Sequence, residues 1–257
     1  MVGASSDPRS TLRAVFIDVD DTLYDFAASV TASMAHVRER YRDSLGHVSV
    51  ADLETLYNET SNSATKEEKL ALLAQSPWKY RRFLWEGVLE RLEARGTPPK
   101  NPPRDLAGGI AEAFATFRFS TLREYAYPGA LEALTAASLR YRVGIITNGP
   151  PQLQRAKIHA LGIHTLVEPH LVFVSGEFGE DKPSPNLFHA AAKAADVEPH
   201  HCAMVGDNLE CDIGSRAVGM YTILFHTKPH EPAILDCKHP PHHVARSWRE
   251  VREHLDF

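Results

Sequence analysis

The chain has 257 residues, 43% of them hydrophobic, and a formal net charge of −5 at pH 7. This length suffices for one large core, or for a core domain with a smaller companion. Because no basic stripe offsets the acidic balance, we expect no nucleic-acid partner.

Signals for membranes and secretion are also missing from the sequence. The amino-terminal residues 1–11 are polar, and no apolar run approaches the roughly 18 residues that span a bilayer. Cys202, Cys211 and Cys237 lack paired close spacing, which favours free thiols in a reducing compartment. We therefore predict a cytoplasmic protein with no membrane partner.

The first predicted element is a short buried strand that ends in acid. Ala14–Ile17 is apolar, and Asp18, Asp20, Asp21 and Thr22 follow. Two carboxylates about 4 Å apart repel by roughly 4 kcal/mol at an effective dielectric near 20, so a cation should balance them. A few oxygen ligands favour Mg2+. The alternative is a capped turn whose acids only interact with a helix N-terminus.

Helical periodicity dominates the chain up to residue 125. Apolar residues recur at three- or four-residue steps from 26 to 45. Further helices are predicted at 52–57, 67–73, 78–92 and about 105–119. A proline-rich link at 97–103 precedes the last of them. Residues 25–125 are therefore predicted to form an all-helical module inserted after the acidic strand.

Strands and helices alternate in the remaining part. Strands are predicted at 143–146, 171–174, 202–205 and 221–225, with helices at about 128–139, 151–161, 184–195 and 209–218. This alternation predicts an α/β fold whose parallel strands end at one edge of the sheet. Asp18, Thr147 and Asp207 each lie at or just beyond a predicted strand end, so we expect them to converge where open α/β sheets bind ligands.

Four motifs, in order along the chain, resemble those of the haloacid dehalogenase superfamily. They are Asp18-Val19-Asp20-Asp21-Thr22, Thr147-Asn148, Lys182-Pro183, and Gly206-Asp207 with Asp212. The resemblance spans the α/β half, and the helical insertion matches the position of that superfamily's first cap type. It implies a three-layer Rossmann-like parallel-sheet core at 1–24 and 126–257, with a helical cap at 25–125.

The resemblance also implies roles for the motif residues. Asp18 would be the nucleophile that forms an aspartyl phosphate, and Asp20 would protonate the leaving alkoxide and then activate water. Flanking carboxylates are expected to raise the pKa of Asp20. The Thr147 hydroxyl and the backbone N–H of Asn148 would bind phosphoryl oxygens. Lys182 would balance the acids and orient Asp18 and the phosphate.

The same resemblance implies a set of metal ligands. Mg2+ would be held by Asp18, by Asp207 and by the main-chain carbonyl of Asp20. Asp212 would bind the metal through a water molecule, or accept a hydrogen bond from a group next to the ligands. The alternative is that Asp212 only interacts with the dipole of the following helix. Asp21 stands where Gly or Asn is common in the superfamily, and it adds negative charge.

An acid two residues after the nucleophile favours phosphate esters over haloacids. The resemblance therefore predicts a Mg2+-dependent phosphatase for a small phosphorylated metabolite, as a monomer or homodimer, similar to nucleotidases and N-acylneuraminate 9-phosphatases. Rival interpretations are a phosphomutase and a non-catalytic binding protein of the same fold. Four cations of the cap or hinge could touch substrate: Lys79, Arg81, Arg82 and Arg123. The alternative is that each of them only belongs to a solvated face. The carboxyl-terminal segment around His239, His242 and His243 is predicted to be a solvated loop rather than a metal-binding segment.

Overall fold

The computed structural model describes residues 7–228 and 238–257. The chain divides into two compact units. The α/β unit comprises Met1–Asp25 and Arg123–Phe257, and the helical unit comprises Phe26–Leu122. The predicted boundaries at residues 25 and 125 differ from these by a few residues.

The described part of the α/β unit contains one sheet of six parallel strands. They are β1 (Ala14–Ile17), β2 (Arg142–Thr147), β3 (Val172–Val174), β4 (Cys202–Gly206), β5 (Tyr221–Phe225) and β6 (His243–Ala245). Their order is β3-β2-β1-β4-β5-β6, which confirms the predicted α/β class with a Rossmann-like core. The register places Ile17 beside Ile145 and Val205, so the residues that follow these three central strands meet at one edge.

The helical unit is built from α1 (Phe26–Arg40), α2 (Arg42–Leu45), α3 (Val50–Ser63), α4 (Lys66–Gln75), α5 (Pro77–Ala94) and α6 (Leu106–Thr121). The side chains of Ser49, Thr65 and Asp105 accept hydrogen bonds from the first turns of α3, α4 and α6. The apolar faces of these helices pack into a core of their own, in which Trp85 meets Phe114 at 5.7 Å between ring centroids.

The α-helices in the described part of the α/β unit are α7 (Ala130–Ser138), α8 (Pro151–Ala160), α9 (Ser175–Phe178), α10 (Pro185–Ala194) and α11 (Trp248–Leu255). The helix predicted at 209–218 is wrong in type, because a turn leads there into a 3-10 helix, Ile213–Val218. Asn208 Oδ1 accepts hydrogen bonds from the backbone N–H groups of Glu210 and Cys211, at 3.0 and 2.8 Å. This side-chain turn replaces the first α-helical hydrogen bonds.

The carboxyl-terminal segment also differs from the prediction of a solvated loop. His243 begins β6 at the edge of the sheet. The ring of His242 stacks on Tyr221 at 4.5 Å between centroids, and its Nδ1 accepts a hydrogen bond from the backbone N–H of Thr222 at 3.0 Å. These contacts, and the buried face of α11, attach the segment to the core.

The structure tests only part of what the sequence predicts about membranes, the amino terminus and the cysteines. No described helix combines the length and the apolar character that crossing a membrane requires. Cys202 and Cys211 are free thiols, as predicted. Cys237 and residues 1–6, which belong to the polar amino-terminal segment, lie outside the described residues.

Candidate active site

Three carboxylates gather at the carboxyl edge of the central strands. Asp18 follows β1 and donates its backbone N–H to Val205 O at 3.0 Å, and Asp207 follows β4. Asp212 comes from the turn beyond β4. One carboxylate oxygen of each acid lies within 4.8 Å of the others. Because Asp18 is 6% and Asp212 1% exposed, little water is available to screen their repulsion.

Lys182 supplies the positive charge among these acids. Its Nζ donates hydrogen bonds to Asp18 Oδ1 at 2.7 Å, Asp212 Oδ1 at 2.5 Å and Ile146 O at 2.8 Å. Burial opposes the charge, but the two carboxylates outweigh it and raise the pKa of Lys182 above its usual value. The three donors of the ammonium are therefore all engaged by protein acceptors.

One ammonium does not balance three carboxylates. Burial, together with the charges of Asp212, Asp18 and Asp21, raises the pKa of Asp207 to about 7. Burial likewise raises the pKa of Asp18, against the opposing charge of Lys182. An all-oxygen donor set with excess negative charge suits a hard divalent cation such as Mg2+. The acids present therefore fit the metal that the sequence predicts.

The loop after β2 holds Lys182 in place. Asn148 Oδ1 accepts the backbone N–H of Lys182 at 2.8 Å, and Asn148 Nδ2 donates to Lys182 O at 3.1 Å. The side chain of Asn148 thus orients the backbone of Lys182. Thr147 Oγ1 is buried and has no hydrogen-bond partner among the described residues. A buried hydroxyl of this kind is ready to donate to a ligand.

Asp20 departs from the sequence prediction. Lys157 Nζ donates to both of its oxygens, at 2.9 and 2.6 Å. Tyr24 donates its hydroxyl to Oδ1 at 2.5 Å, and Gln154 Nε2 donates to Oδ2 at 3.1 Å. Burial favours the neutral acid, but Lys157 and these hydrogen bonds prevail and lower the pKa of Asp20. The predicted increase in that pKa is therefore wrong, because the ammonium of Lys157 and the hydrogen-bond donors outweigh the effect of burial.

The sequence did not single out Lys157 or Gln154. Both side chains are buried, with 7% and 2% exposure. Their three-residue spacing on α8 puts them on one helix face, but the same spacing is common on exposed helices. The one available signal was their place on the helix that follows Thr147.

Three of the four cations predicted to be able to touch substrate, Lys79, Arg81 and Arg82, have contacts within the helical unit. Lys79 Nζ donates to Gln75 at 2.7 Å, and Arg82 Nη1 pairs with Asp105 at 2.9 Å. Arg81 lies over the ring of Phe119. Arg123 belongs to a 3-10 helix, Leu122–Tyr125. The exposed Lys79 and the ion-paired Arg82 fit the alternative of a solvated face.

Known proteins are similar to this chain in sequence and in fold. A family model of haloacid dehalogenase-like hydrolases matches residues 12–217. The chain is 34% identical over 218 residues to glyceraldehyde 3-phosphate phosphatase of Pyrococcus abyssi, covering 83% of this chain and 81% of that protein. It is 28% identical over 212 residues to human N-acylneuraminate-9-phosphatase, covering 79% and 77%.

A solved structure agrees with the fold. The magnesium-bound HAD-hydrolase YfnB from Bacillus subtilis has a TM-score of 0.63 and 19% identity, with 96% of this chain and 99% of that chain covered. The chain therefore belongs to the haloacid dehalogenase-like hydrolase family, in which it is a phosphoric monoester hydrolase. The resemblance inferred from the four motifs is confirmed.

Proposed function

We propose that this hydrolase removes phosphate from a small phosphorylated metabolite through an aspartyl-phosphate intermediate on Asp18, with Mg2+ as cofactor. The relatives named above are phosphatases of glyceraldehyde 3-phosphate and of an N-acylneuraminate 9-phosphate, which are small phosphate esters. The observation that carries the proposal is the buried contact of Lys182 with Asp18, beside two further carboxylates. The buried hydroxyl of Thr147, at the end of β2, is available as a further donor. We also propose that the helical unit acts as the cap that selects the substrate.

The metal would be held by the carboxylates of Asp18 and Asp207 and by the main-chain carbonyl of Asp20. Asp212 suits a supporting role, because its Oδ1 accepts from Lys182 and its Oδ2 from the backbone N–H of Asn208 at 3.0 Å. When bound, Mg2+ would neutralise charge on the phosphoryl oxygens. Protons compete for the same carboxylates, so the raised pKa of Asp207 makes metal binding dependent on pH.

In the first step, a carboxylate oxygen of Asp18 attacks phosphorus in line with the leaving oxygen. The bond from phosphorus to that oxygen breaks, and Asp20 transfers a proton to the departing alkoxide. This step requires the protonated form of Asp20, whose share Lys157 reduces by lowering the pKa of the acid. Lys182 orients Asp18 and offsets its charge. The Thr147 hydroxyl and the backbone N–H of Asn148 donate hydrogen bonds to phosphoryl oxygens as charge develops there.

In the second step, Asp20 takes a proton from water while the water oxygen attacks the phosphorus of the intermediate. The bond between phosphorus and Asp18 breaks, which releases inorganic phosphate and regenerates the carboxylate. Asp20 thus gives up its proton in the first step and regains one from water in the second.

The test compares wild type with Asp18→Asn in 4-nitrophenyl phosphate hydrolysis, with Mg2+ and with EDTA. We expect wild type to release phosphate only with Mg2+, and the variant to keep less than a tenth of that rate. Asp43→Asn, an exposed acid in the helical unit, is the matched control and should keep full activity. Retained activity in Asp18→Asn would contradict the nucleophile assignment.

The substrate is then sought with a panel of phosphorylated metabolites that includes hexose phosphates. A phosphatase releases inorganic phosphate from its substrate. Isomerisation of a hexose phosphate without net release would instead identify the phosphomutase. No turnover of any ester between pH 5 and 9 with Mg2+ present would favour a binding protein.

A further inference from the structure

We propose that Lys157 and Gln154 are positioning residues that hold the Asp20 carboxylate where it exchanges protons with the leaving group and with water. This role rests on the proposed function, since it requires Asp20 to act as the acid and base. It assigns a catalytic purpose to α8, a helix that contributes no residue to the four motifs.

The contact between Lys157 and Asp20 fixes the orientation of the carboxylate. A single hydrogen bond lets a carboxylate rotate, whereas Lys157 Nζ contacts both oxygens, at 2.9 and 2.6 Å. The side chains of Lys157 and Asp20 are 9% and 29% exposed, so water screens this ion pair less than it screens a pair on the open surface. The pair therefore restrains Asp20 more strongly than a surface salt bridge would.

Gln154 connects the same carboxylate to the loop after β2. Its Nε2 donates to Asp20 Oδ2 at 3.1 Å and to Asn148 O at 2.5 Å. Asn148 is also the residue whose side chain binds the backbone of Lys182. One amide group thus sets the position of Asp20 relative to the segment that carries Thr147.

Positioning of this kind affects the rate because proton transfer depends steeply on distance. A displacement of about 1 Å can reduce a rate roughly 100-fold, and general acid–base catalysis contributes about 100- to 10,000-fold. Replacing a residue that contributes only to the stability of the fold would lower the rates with all substrates by the same factor. A residue that positions Asp20 should matter most for leaving groups that need a proton.

Two aryl phosphates of similar shape separate these cases. Phenolate is a poorer leaving group than 4-nitrophenolate, so phenyl phosphate depends more on protonation by Asp20. The value of kcat/KM covers only the steps up to alcohol release, which excludes hydrolysis of the intermediate from the comparison. The measured quantity is the ratio of kcat/KM for 4-nitrophenyl phosphate to that for phenyl phosphate.

We expect Lys157→Met to raise this ratio about tenfold, mainly through a lower kcat/KM for phenyl phosphate. Loss of the cation also increases the protonated share of Asp20, and the positioning role requires that the misplaced carboxyl outweighs this gain. Lys157→Arg, which keeps the charge and can contact both oxygens, should restore most of the wild-type ratio. Gln154→Met removes the hydrogen bonds to Asp20 and to Asn148 O while keeping the ammonium of Lys157, and should raise the ratio by a smaller factor. The control is Lys193→Met, a change of an exposed lysine on α10, which should leave the ratio unchanged.

An unchanged ratio in both Lys157→Met and Gln154→Met would overturn the positioning role, whether the absolute rates fall or not. If Lys157→Met does not fold, Gln154→Met decides the question alone. These results leave the proposed function intact as long as Asp18→Asn is inactive. Wild type that hydrolyses neither ester, or an active Asp18→Asn, overturns the proposed function and the positioning role together.

Discussion

The ammonium of Lys182 lies 2.5 Å from Asp212 Oδ1, and both side chains are almost completely buried. The same nitrogen contacts Asp18 Oδ1 at 2.7 Å. Asp212 also accepts the backbone N–H of Asn208, so it ties the turn after β4 to the lysine. A single cation therefore joins the end of β1 to the turn that carries Asp207.

Replacing Lys182 by Met should destabilise the protein and abolish phosphatase activity. Removal of one partner from a buried ion pair leaves uncompensated charge and typically costs about 3–5 kcal/mol. The free energy of unfolding is measured by urea titration in EDTA. Because Mg2+ would supply positive charge to the same acids, the loss of stability should be smaller with saturating Mg2+.

Lys193→Met is the matched control for the stability measurement, because it removes an exposed lysine from the same unit. It should change the free energy of unfolding by less than about 0.5 kcal/mol. A Lys182→Met protein as stable as this control in EDTA would show that the buried acids do not require the lysine.

The Thr147→Val variant should lose activity while keeping its stability. Thr147 Oγ1 is buried without a hydrogen-bond partner among the described residues, so its removal costs no protein hydrogen bond. Val has the same shape and suits the end of β2. If the hydroxyl binds a phosphoryl oxygen, the kcat/KM for 4-nitrophenyl phosphate should fall at least tenfold, to judge from removal of comparable donors, which costs about 100-fold or more.

Thr222→Val is the control for this pair of measurements. Thr222 is also buried, but its Oγ1 lies 3.1 Å from His242 Nδ1. Loss of this contact should cost about 1 kcal/mol of stability and leave activity largely unchanged. A Thr147→Val variant that is destabilised to the same extent, with normal kinetics, would contradict a substrate-binding role.

Asp207 should make Mg2+ binding depend on pH. Its pKa of about 7 means that protons occupy the carboxylate increasingly below pH 7 and compete with the metal. The apparent affinity for Mg2+, obtained from activity titrations, should therefore fall from pH 8 to pH 6. Asp207→Asn should bind Mg2+ more weakly and show less of this dependence. If the apparent affinity for Mg2+ instead stayed the same from pH 8 to pH 6, the assignment of Asp207 as a metal ligand would be contradicted.

The same pKa has the opposite consequence for stability without metal. Folded Asp207 holds its proton more tightly than an unfolded aspartate, whose pKa is about 3.9, so the folded state binds more protons between these values. The stability contributed by this group is thus present at acidic pH and lost as the pH rises through about 7. Urea unfolding in EDTA at pH 5.5 and 8 measures this loss. The free energy of unfolding should fall from pH 5.5 to pH 8 in wild type, and by less in Asp207→Asn.

The sequence reveals the site residues that follow strands. Asp18, Thr147 and Asp207 could be placed at one edge because parallel strands impose a common direction, whatever the loops between them. The partners of Asp20 could not be placed in this way. Lys157 lies on a helix, where many faces and neighbours are compatible with one sequence, and only the packing of α8 brings its ammonium to Asp20. For this reason the direction of the Asp20 pKa shift was predicted wrongly.

The carboxyl-terminal segment shows a different limit. Trp248, Val251 and Leu255 recur at helical spacing and are buried in α11, but the preceding histidines and prolines are typical of a loop. A strand of three residues such as β6 is too short for a periodic signal. Its existence depends on pairing with β5, which only the folded sheet supplies.

Trp248 links this segment to the active-site loop. Its Nε1 donates a hydrogen bond to Thr22 O at 2.9 Å, and the side chain is 1% exposed. Thr22 follows Asp20 and Asp21 directly, so the indole supports the loop that carries Asp20, the proposed acid and base. Trp248 lies outside the residues that the family model matches, 12–217.

Trp248→Phe should remove this hydrogen bond while keeping an aromatic ring in the core. Leaving the buried Thr22 carbonyl without the indole donor should cost about 1–3 kcal/mol in urea unfolding. If the bond also holds Asp20 in register, kcat should fall severalfold at a temperature where the variant is fully folded. Trp78→Phe, which changes a partly exposed ring in the helical unit, should alter neither quantity. Full kcat in a destabilised Trp248→Phe would show that the indole stabilises the fold without positioning the catalytic loop.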